Sequence, residues 1–309
     1  MSARCSRIGV LLAISWVGTA FAAAPAKTDE AGYAGSGICA ECHQAEHAAW
    51  RGSPHDLAMA EASEETVLGD FADARFTAHG VTSTFFRRDG GWYVRTDGPD
   101  GELRDYRIAY TFGWYPLQQY LVEFPNGRLQ SLGLAWDSRP RGEGGQRWFH
   151  LYPDVQHMGP DHPLHWTGRE QNWNYQCAEC HSTELRKGYE LETDTFSTTW
   201  AEINVACEAC HGRGAAHVEQ ARAVAAGDAS AWSANKGLVV DLADRDGGTW
   251  AIDPTSGVPA RSVPRSDRTE LELCARCHSR RGQIHDQYEY GAPLGNTHRL
   301  SLLDEHLYP

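Results

Sequence analysis

Positive charge is scarce in this 309-residue chain, and so are methionine, long apolar runs and cysteines outside one repeated pattern. Lys and Arg number 28 against 41 Asp and Glu, a formal net charge of −13. Such a surface repels a phosphate backbone, which excludes nucleic acid as a partner. Acidity of this kind either serves solubility or steers encounter with a basic patch on another protein. Past the N-terminal segment no run approaches the roughly 20 apolar residues that span a bilayer, so an integral membrane span is excluded too. Methionine occurs three times, Met1 included. Cysteine occurs nine times; with Cys5 set apart, the others all fall into four short runs and none is left for a disulfide framework.

The runs are Cys39-Ala40-Glu41-Cys42-His43, Cys177-Ala178-Glu179-Cys180-His181, Cys207-Glu208-Ala209-Cys210-His211 and Cys274-Ala275-Arg276-Cys277-His278. Each is Cys-x-x-Cys-His, the attachment signature of a c-type haem. On one helical turn, cysteines three apart share a face and can each form a thioether to a porphyrin edge, while the next histidine projects under the ring to ligate iron. Paired Cys-x-x-Cys units also build zinc sites and dithiol redox centres. Neither of these requires a histidine after the second cysteine in all four copies. The expected cofactor is therefore haem c, four copies, held by the eight motif cysteines with His43, His181, His211 and His278 as proximal ligands.

Arg4 and Arg7 precede an apolar stretch from Ile8 to Ala20, and Ala20-Phe21-Ala22 or Ala22-Ala23-Ala24 offers small-residue cleavage sites. This is the pattern of a signal peptide over residues 1–24. Cys5 precedes the apolar stretch, which argues against a lipid-modified cysteine. Export, with haem attached afterwards in the periplasm or outside the cell, is the expected history.

Residues 25–70 form the first haem-binding segment. Cys39 to Trp50 has helical composition, and Gly52-Ser53-Pro54 stops the helix. His55, just past the stop on a loop that can fold back, is a distal-ligand candidate. His47 lies one turn from His43 on the same face and cannot reach the far side of that iron. Over residues 71–146, runs of Thr, Phe, Tyr, Val and Trp are punctuated by Asp89-Gly90-Gly91, Gly98-Pro99-Asp100-Gly101 and Pro125-Asn126-Gly127. They predict an inserted antiparallel β meander with strands near 74–79, 82–88, 91–97, 102–110, 118–124 and 128–136. With no cysteine and only His79, it reads as scaffold or docking surface.

Residues 147–309 hold the other three motifs. Pro153, Pro160 and Pro163 forbid a long helix, and histidines in irregular backbone beside aromatic rings suit a haem crevice. His150 and His165 have such neighbours; His157 and His162 read as loop histidines. The second and third motifs begin 30 residues apart, so their haems are expected to be neighbours. Gly212 and Gly214 let the chain turn after His211, pointing His217 away from that haem and toward the next; a solvent-facing histidine is the plain alternative. An Ala-rich helix and a Pro254–Pro264 linker follow. Around the fourth motif, Arg276, Arg280 and Arg281 either pair with propionates or are solvated. His298 is preferred to His285 as a ligand, because His285 lies close to its own motif.

Fifteen histidines against three methionines point to histidine on both sides of most irons, and hence to low potentials, since a methionine axial ligand raises them. Iron closed on both sides offers no position for substrate, which favours an electron carrier over a catalyst. The alternative is an oxidoreductase with one open haem acting on a small nitrogen or sulfur compound. A third class is a scaffold assembled haem to haem into an oligomer.

The four motifs, with Ser53-Pro54-His55 after the first and His211-Gly-x-Gly-x-x-His217 at the third, resemble the multihaem c-type cytochromes of the c-552/c-554 kind. Gly127-Arg128-Leu129-Gln130, Gln146-Arg147-Trp148-Phe149-His150, Cys274 to Arg281 and His298-Arg299-Leu300 are similar to the cytochrome portion of secreted proteins that continue into further haem motifs and tetratricopeptide repeats. The resemblance implies a largely irregular fold of short α-helices around stacked haems, redox proteins as partners, and distal roles for His55, His217 and His298. This sequence ends at Leu307-Tyr308-Pro309 where the family's chains go on, so it is expected to be part of a longer protein. The secreted product should carry four covalent haem masses by intact-protein mass spectrometry and no titratable thiol; a colourless product would contradict the motif reading.

Overall fold

Alternation of β-branched and aromatic side chains builds one part of the molecule, and the Cys-x-x-Cys-His runs build the other. The computed structural model describes residues 32–156, 158–242 and 248–301. The expected signal peptide, Cys5, His157 and His306 lie outside them. Strands β1 (Met59–Glu61), β2 (Ala74–Ala78), β3 (Val81–Arg88), β4 (Gly91–Asp97), β5 (Leu103–Phe112), β6 (Leu117–Glu123), β7 (Leu129–Ser131), β8 (Leu134–Asp137) and β9 (Arg147–His150) form one antiparallel sheet. Its order is β2-β3-β4-β5-β6-β8-β9, with β1 added beside β5 and β7 beside β6.

Turn chemistry fixes the register. Asp89-Gly90 joins β3 to β4 with φ of 50° and 74°, and His79-Gly80 joins β2 to β3 with φ of 50° and 81°. Positive φ at both central residues is the two-residue hairpin turn whose twist matches its strands. Along β6 the side chains then sort by face. Tyr120 and Val122 enter a core with Phe71, Phe85, Val94, Ile108, Trp136, Trp148 and Trp166. Leu121 enters a second core with Met59, Tyr110, Phe112, Leu129, Trp173 and Ala178. This second core is what seats the sheet against the haem motifs, because Ala178 lies inside the second Cys-x-x-Cys-His run.

The sheet exceeds its expected limits at both ends. β1 precedes residue 71, and β9 follows residue 146, where irregular backbone was expected; β9 pairs with β8 through Ala135↔Phe149 and Trp136↔Trp148. Four residues are too few for alternation to register against flanking Arg and His. The single strand expected over 128–136 is two, broken at Leu132-Gly133, where a Cβ on Gly133 would meet His150 Nε2 at 3.1 Å.

Helices are short: α1 (Ser36–Cys42), α2 (Gln44–Trp50), α3 (Trp173–Gln176), α4 (Ala178–His181), α5 (Glu208–His211), α6 (Ala215–Ala225) and α7 (Thr269–His278). The helix expected through Trp50 is interrupted at His43 (φ −103°, ψ 54°), which turns its ring off the helix axis. Inside the expected Pro254–Pro264 linker, Pro259–Arg261 pairs with Trp250–Ile252 as a hairpin. Among the described residues no helix is long and apolar enough to cross a membrane.

Trp148 stacks on Phe85 at 3.5 Å between ring centres and donates its indole N–H to Asp70 O at 3.1 Å. Trp148→Ala should therefore cost about 3–5 kcal/mol of stability, read as a lower denaturation midpoint in urea; a change within experimental error would contradict this core assignment.

Candidate haem-binding site

The first motif ends at His43 and the next begins at Cys177, with the sheet between them, yet polar contacts fasten the first to the third. The Glu208 carboxylate, 2% exposed, accepts backbone N–H groups of Ala34 (2.8 Å), Gly35 (2.7 Å) and Gly214 (2.7 Å). Trp50 donates its indole N–H to Val205 O at 2.9 Å, and Asn204 donates to Asp56 O at 3.0 Å. The Cys39 and Cys207 side chains lie close enough to perturb each other. The second and fourth motifs are clasped in the same way. The Cys180 and Cys277 side chains lie close enough to perturb each other, and Glu179 binds Arg281 at 2.7 Å and His298 at 3.0 Å. The second motif thus neighbours the fourth as well as the third, the neighbour that sequence spacing favoured: Thr183, just after it, bridges Glu202 and accepts the Ala206 N–H at 2.9 Å.

The histidines cross between motifs. His43 of the first motif faces His217, which follows the third, with ring centres 6.1 Å apart and planes at 29°. His278 of the fourth motif faces His55, which follows the first, again at 6.1 Å, with planes at 81°. Two imidazoles bound on opposite sides of one metal through bonds of about 2 Å put their ring centres roughly 6 Å apart. His217 donates Nδ1–H to Lys236 O at 2.8 Å and stacks on Trp232. His181 of the second motif donates Nδ1–H to Ala58 O at 2.8 Å and meets the edge of Phe112. In both, the carbonyl fixes the tautomer and leaves Nε2 bare, the arrangement that orients a metal-ligating histidine. Burial pushes the His181 pKa down, so its ring is held in the neutral, ligating form. His211 ends α5 at an exposed position.

The cysteines fit attachment. Cys42, Cys210 and Cys274 are exposed and Cys39, Cys177, Cys180, Cys207 and Cys277 half-buried, all as free thiols. Cys277 is pushed down to about 6 by its Cys180 neighbour and the Arg276 guanidinium, against burial. A cavity of about 340 Å³ opens between the second and fourth motifs, lined by Glu179, Glu184, Arg213, Arg276, Asp286 and Tyr288 among others.

The other candidates are engaged elsewhere. His298 is fully buried with Nε2 on Glu179 and Nδ1 2.9 Å from Thr297 Oγ1. His165 holds Asp97 at 3.0 Å and Thr167 at 2.8 Å. His150, on β9, accepts Tyr152 N–H at Nδ1 and packs on His79 at 4.4 Å between ring centres. The rings that His150 and His165 touch, those of His79, Tyr152 and Trp166, belong to no motif. Sequence reasoning missed Glu208 and Glu179. Both stand at "x" positions of the motif, where the signature imposes nothing; a carboxylate inside the run does not single them out, since Glu41 in the first run is exposed and pairs with Arg222.

Comparison with known proteins follows this division. The family model for cytochrome c554 and c-prime matches residues 38–77 and 158–212, two blocks on either side of most of the sheet. Among solved structures, the outer cell wall cytochrome OcwA shares the fold with a TM-score of 0.51 at 17% identity, over 87% of this chain and 45% of that one. The chain therefore spans less than half of that protein. An undecahaem cytochrome from the S-layer of Carboxydothermus ferrireducens aligns at 19% identity over 61% of this chain and 22% of that one, with a TM-score of 0.35. No curated protein matches in sequence. The motifs and the family match support a multihaem c-type cytochrome, a class whose fold the chain shares, and the matched family implies covalently attached haem c.

Burial and the neighbouring His79 lower the His150 pKa from 6.5 to about 4. Between these values the unfolded chain binds a proton that the folded one refuses, so stability should fall as pH drops from about 6.5 toward 4. Urea titrations across this range should show the decline, and His150→Gln should flatten it; an equal slope in the variant would contradict the assignment.

Proposed function

We propose that the chain is an exported tetrahaem c-type electron carrier. Haem c would be held at each motif by its two cysteines and by His43, His181, His211 or His278, with His217 opposite His43 and His55 opposite His278. The observation that carries this reading is the pair of histidine–histidine separations of 6.1 Å, each joining a motif histidine to one just beyond a different motif. When bound, the group supplies reversible one-electron iron chemistry.

The protein's part is to hold, orient and insulate. Lys236 O and Ala58 O fix the imidazoles of His217 and His181. Trp232 and Phe112 cover them with apolar rings. Closure by two imidazoles at these two irons leaves no coordination position for a substrate there, which supports a carrier over a catalyst. The neighbouring pairs Cys39/Cys207 and Cys180/Cys277 bring attachment points of different motifs together, so that electrons would pass over short gaps. The leader-like N-terminus and the fold shared with a cell-wall cytochrome support a periplasmic or extracellular place. The acidic balance suits partners that present a basic patch.

His217→Ala and His55→Ala should each convert one further haem to a high-spin form that added imidazole returns to low spin. A wholly low-spin spectrum in both variants would contradict the ligand assignment.

A further inference from the structure

Arg276 carries a charge that the polypeptide leaves uncompensated. It stands between the cysteines of the fourth motif and is 7% exposed. A guanidinium taken this far from water needs a counter-charge and acceptors for its N–H groups. It donates to Ala209 O of the third motif at 3.3 Å, while its Nε is buried without a hydrogen-bond partner. The rings of Tyr288 and Tyr290 stand 5.5 and 5.4 Å from it, and the Tyr290 hydroxyl is a second buried group without a partner. Cys277 lies beside it, but thioether formation removes that sulfur's capacity to carry negative charge. The carboxylates nearby are committed elsewhere. Glu179 holds Arg281 and His298 at 2.7 and 3.0 Å, Glu184 takes the Tyr33 hydroxyl and Arg186, and Asp286 faces Lys187 at 3.5 Å. Glu272 accepts the Leu294 N–H at 2.9 Å, and Glu289 is exposed. Among the described residues none of these forms an ion pair with Arg276, which lines the cavity of about 340 Å³.

Building on the tetrahaem reading, we propose that Arg276 and Tyr290 together hold a propionate carboxylate of a haem attached at another motif. The thioethers of a c-type haem form along one porphyrin edge and its propionates leave the opposite edge, so a residue between Cys274 and Cys277 stands away from the propionates of its own haem. A carboxylate offers acceptor sites for both orphaned groups, the Arg276 Nε–H and the Tyr290 O–H, and supplies the missing negative charge. The fourth motif thereby anchors a neighbouring haem by its free edge as well as binding its own.

Resonance Raman spectra and spectroelectrochemical titration of the intact four-haem protein test it. Tyr290→Phe, which removes one hydroxyl and no charge, should shift the propionate bending band and lower one midpoint. Arg276→Met should do both more strongly, with a fall of about 59 mV for a tenfold change in the one-electron equilibrium, and Arg276→Lys should recover part of it. Exchange of chloride for phosphate at constant ionic strength should move neither readout in the wild type. Four bound haems with an unaltered propionate band in Tyr290→Phe and Arg276→Met alike would overturn the assignment, and a wild-type midpoint that moves with phosphate would overturn it by putting a free anion in the site. Should Arg276→Met bind fewer than four haems, Tyr290→Phe decides alone. Fewer than four haems in the wild-type chain would overturn the tetrahaem reading instead.

Discussion

One buried carboxylate decides how this chain closes. Glu208, set inside the third Cys-x-x-Cys-His run, gathers N–H groups from Ala34 and Gly35 ahead of the first run and from Gly214 behind its own. An acceptor with three donors in a low-dielectric interior is a strong tie and a costly one to leave unmade. Through it the segment before the sheet is carried back onto the segment after it. The crossed histidines follow: His217 can reach His43, and His55 can reach His278, because the two ends of the sheet are held together.

The sheet is what makes that return possible. β1 leaves the first haem segment and pairs at once with the far half of β5, through Met59↔Phe112. Ala58, just before β1, then offers its carbonyl to His181. Phe112 and Met59 pack with Trp173 and Ala178, next to Cys177. A rigid antiparallel platform thus supplies the apolar wall, the orienting carbonyl and the aromatic cover for the second motif. Away from the sheet, buried side chains thin out: α6 buries none, and the hairpin carrying Trp250 and Ile252 is exposed. An apolar porphyrin plane covalently tied to each motif would supply burial that these short helices lack.

Much of this was legible in the sequence because it rests on local chemistry. Asp89-Gly90 marked a hairpin by its need for positive φ, and the four attachment runs marked themselves. His55 and His217 could be singled out because each follows a helix stop that redirects the chain. What resisted reading is non-local. Nothing in Arg147–His150 announces a strand until β8 is beside it. Spacing along the chain joined the second motif to the third, as Thr183 and Ala206 do, but gave no sign that Glu179 and Arg281 also join it to the fourth. His150 and His165, with the same aromatic neighbours that a haem crevice would show, are held by Tyr152 and Asp97 in the sheet's own core.

Diffraction from crystals of the haem-loaded protein at the iron absorption edge would test the account most directly. The anomalous map should show four iron peaks, one between His43 and His217 and another between His55 and His278. Iron peaks displaced from those two gaps, with either histidine pair in direct contact, would contradict it.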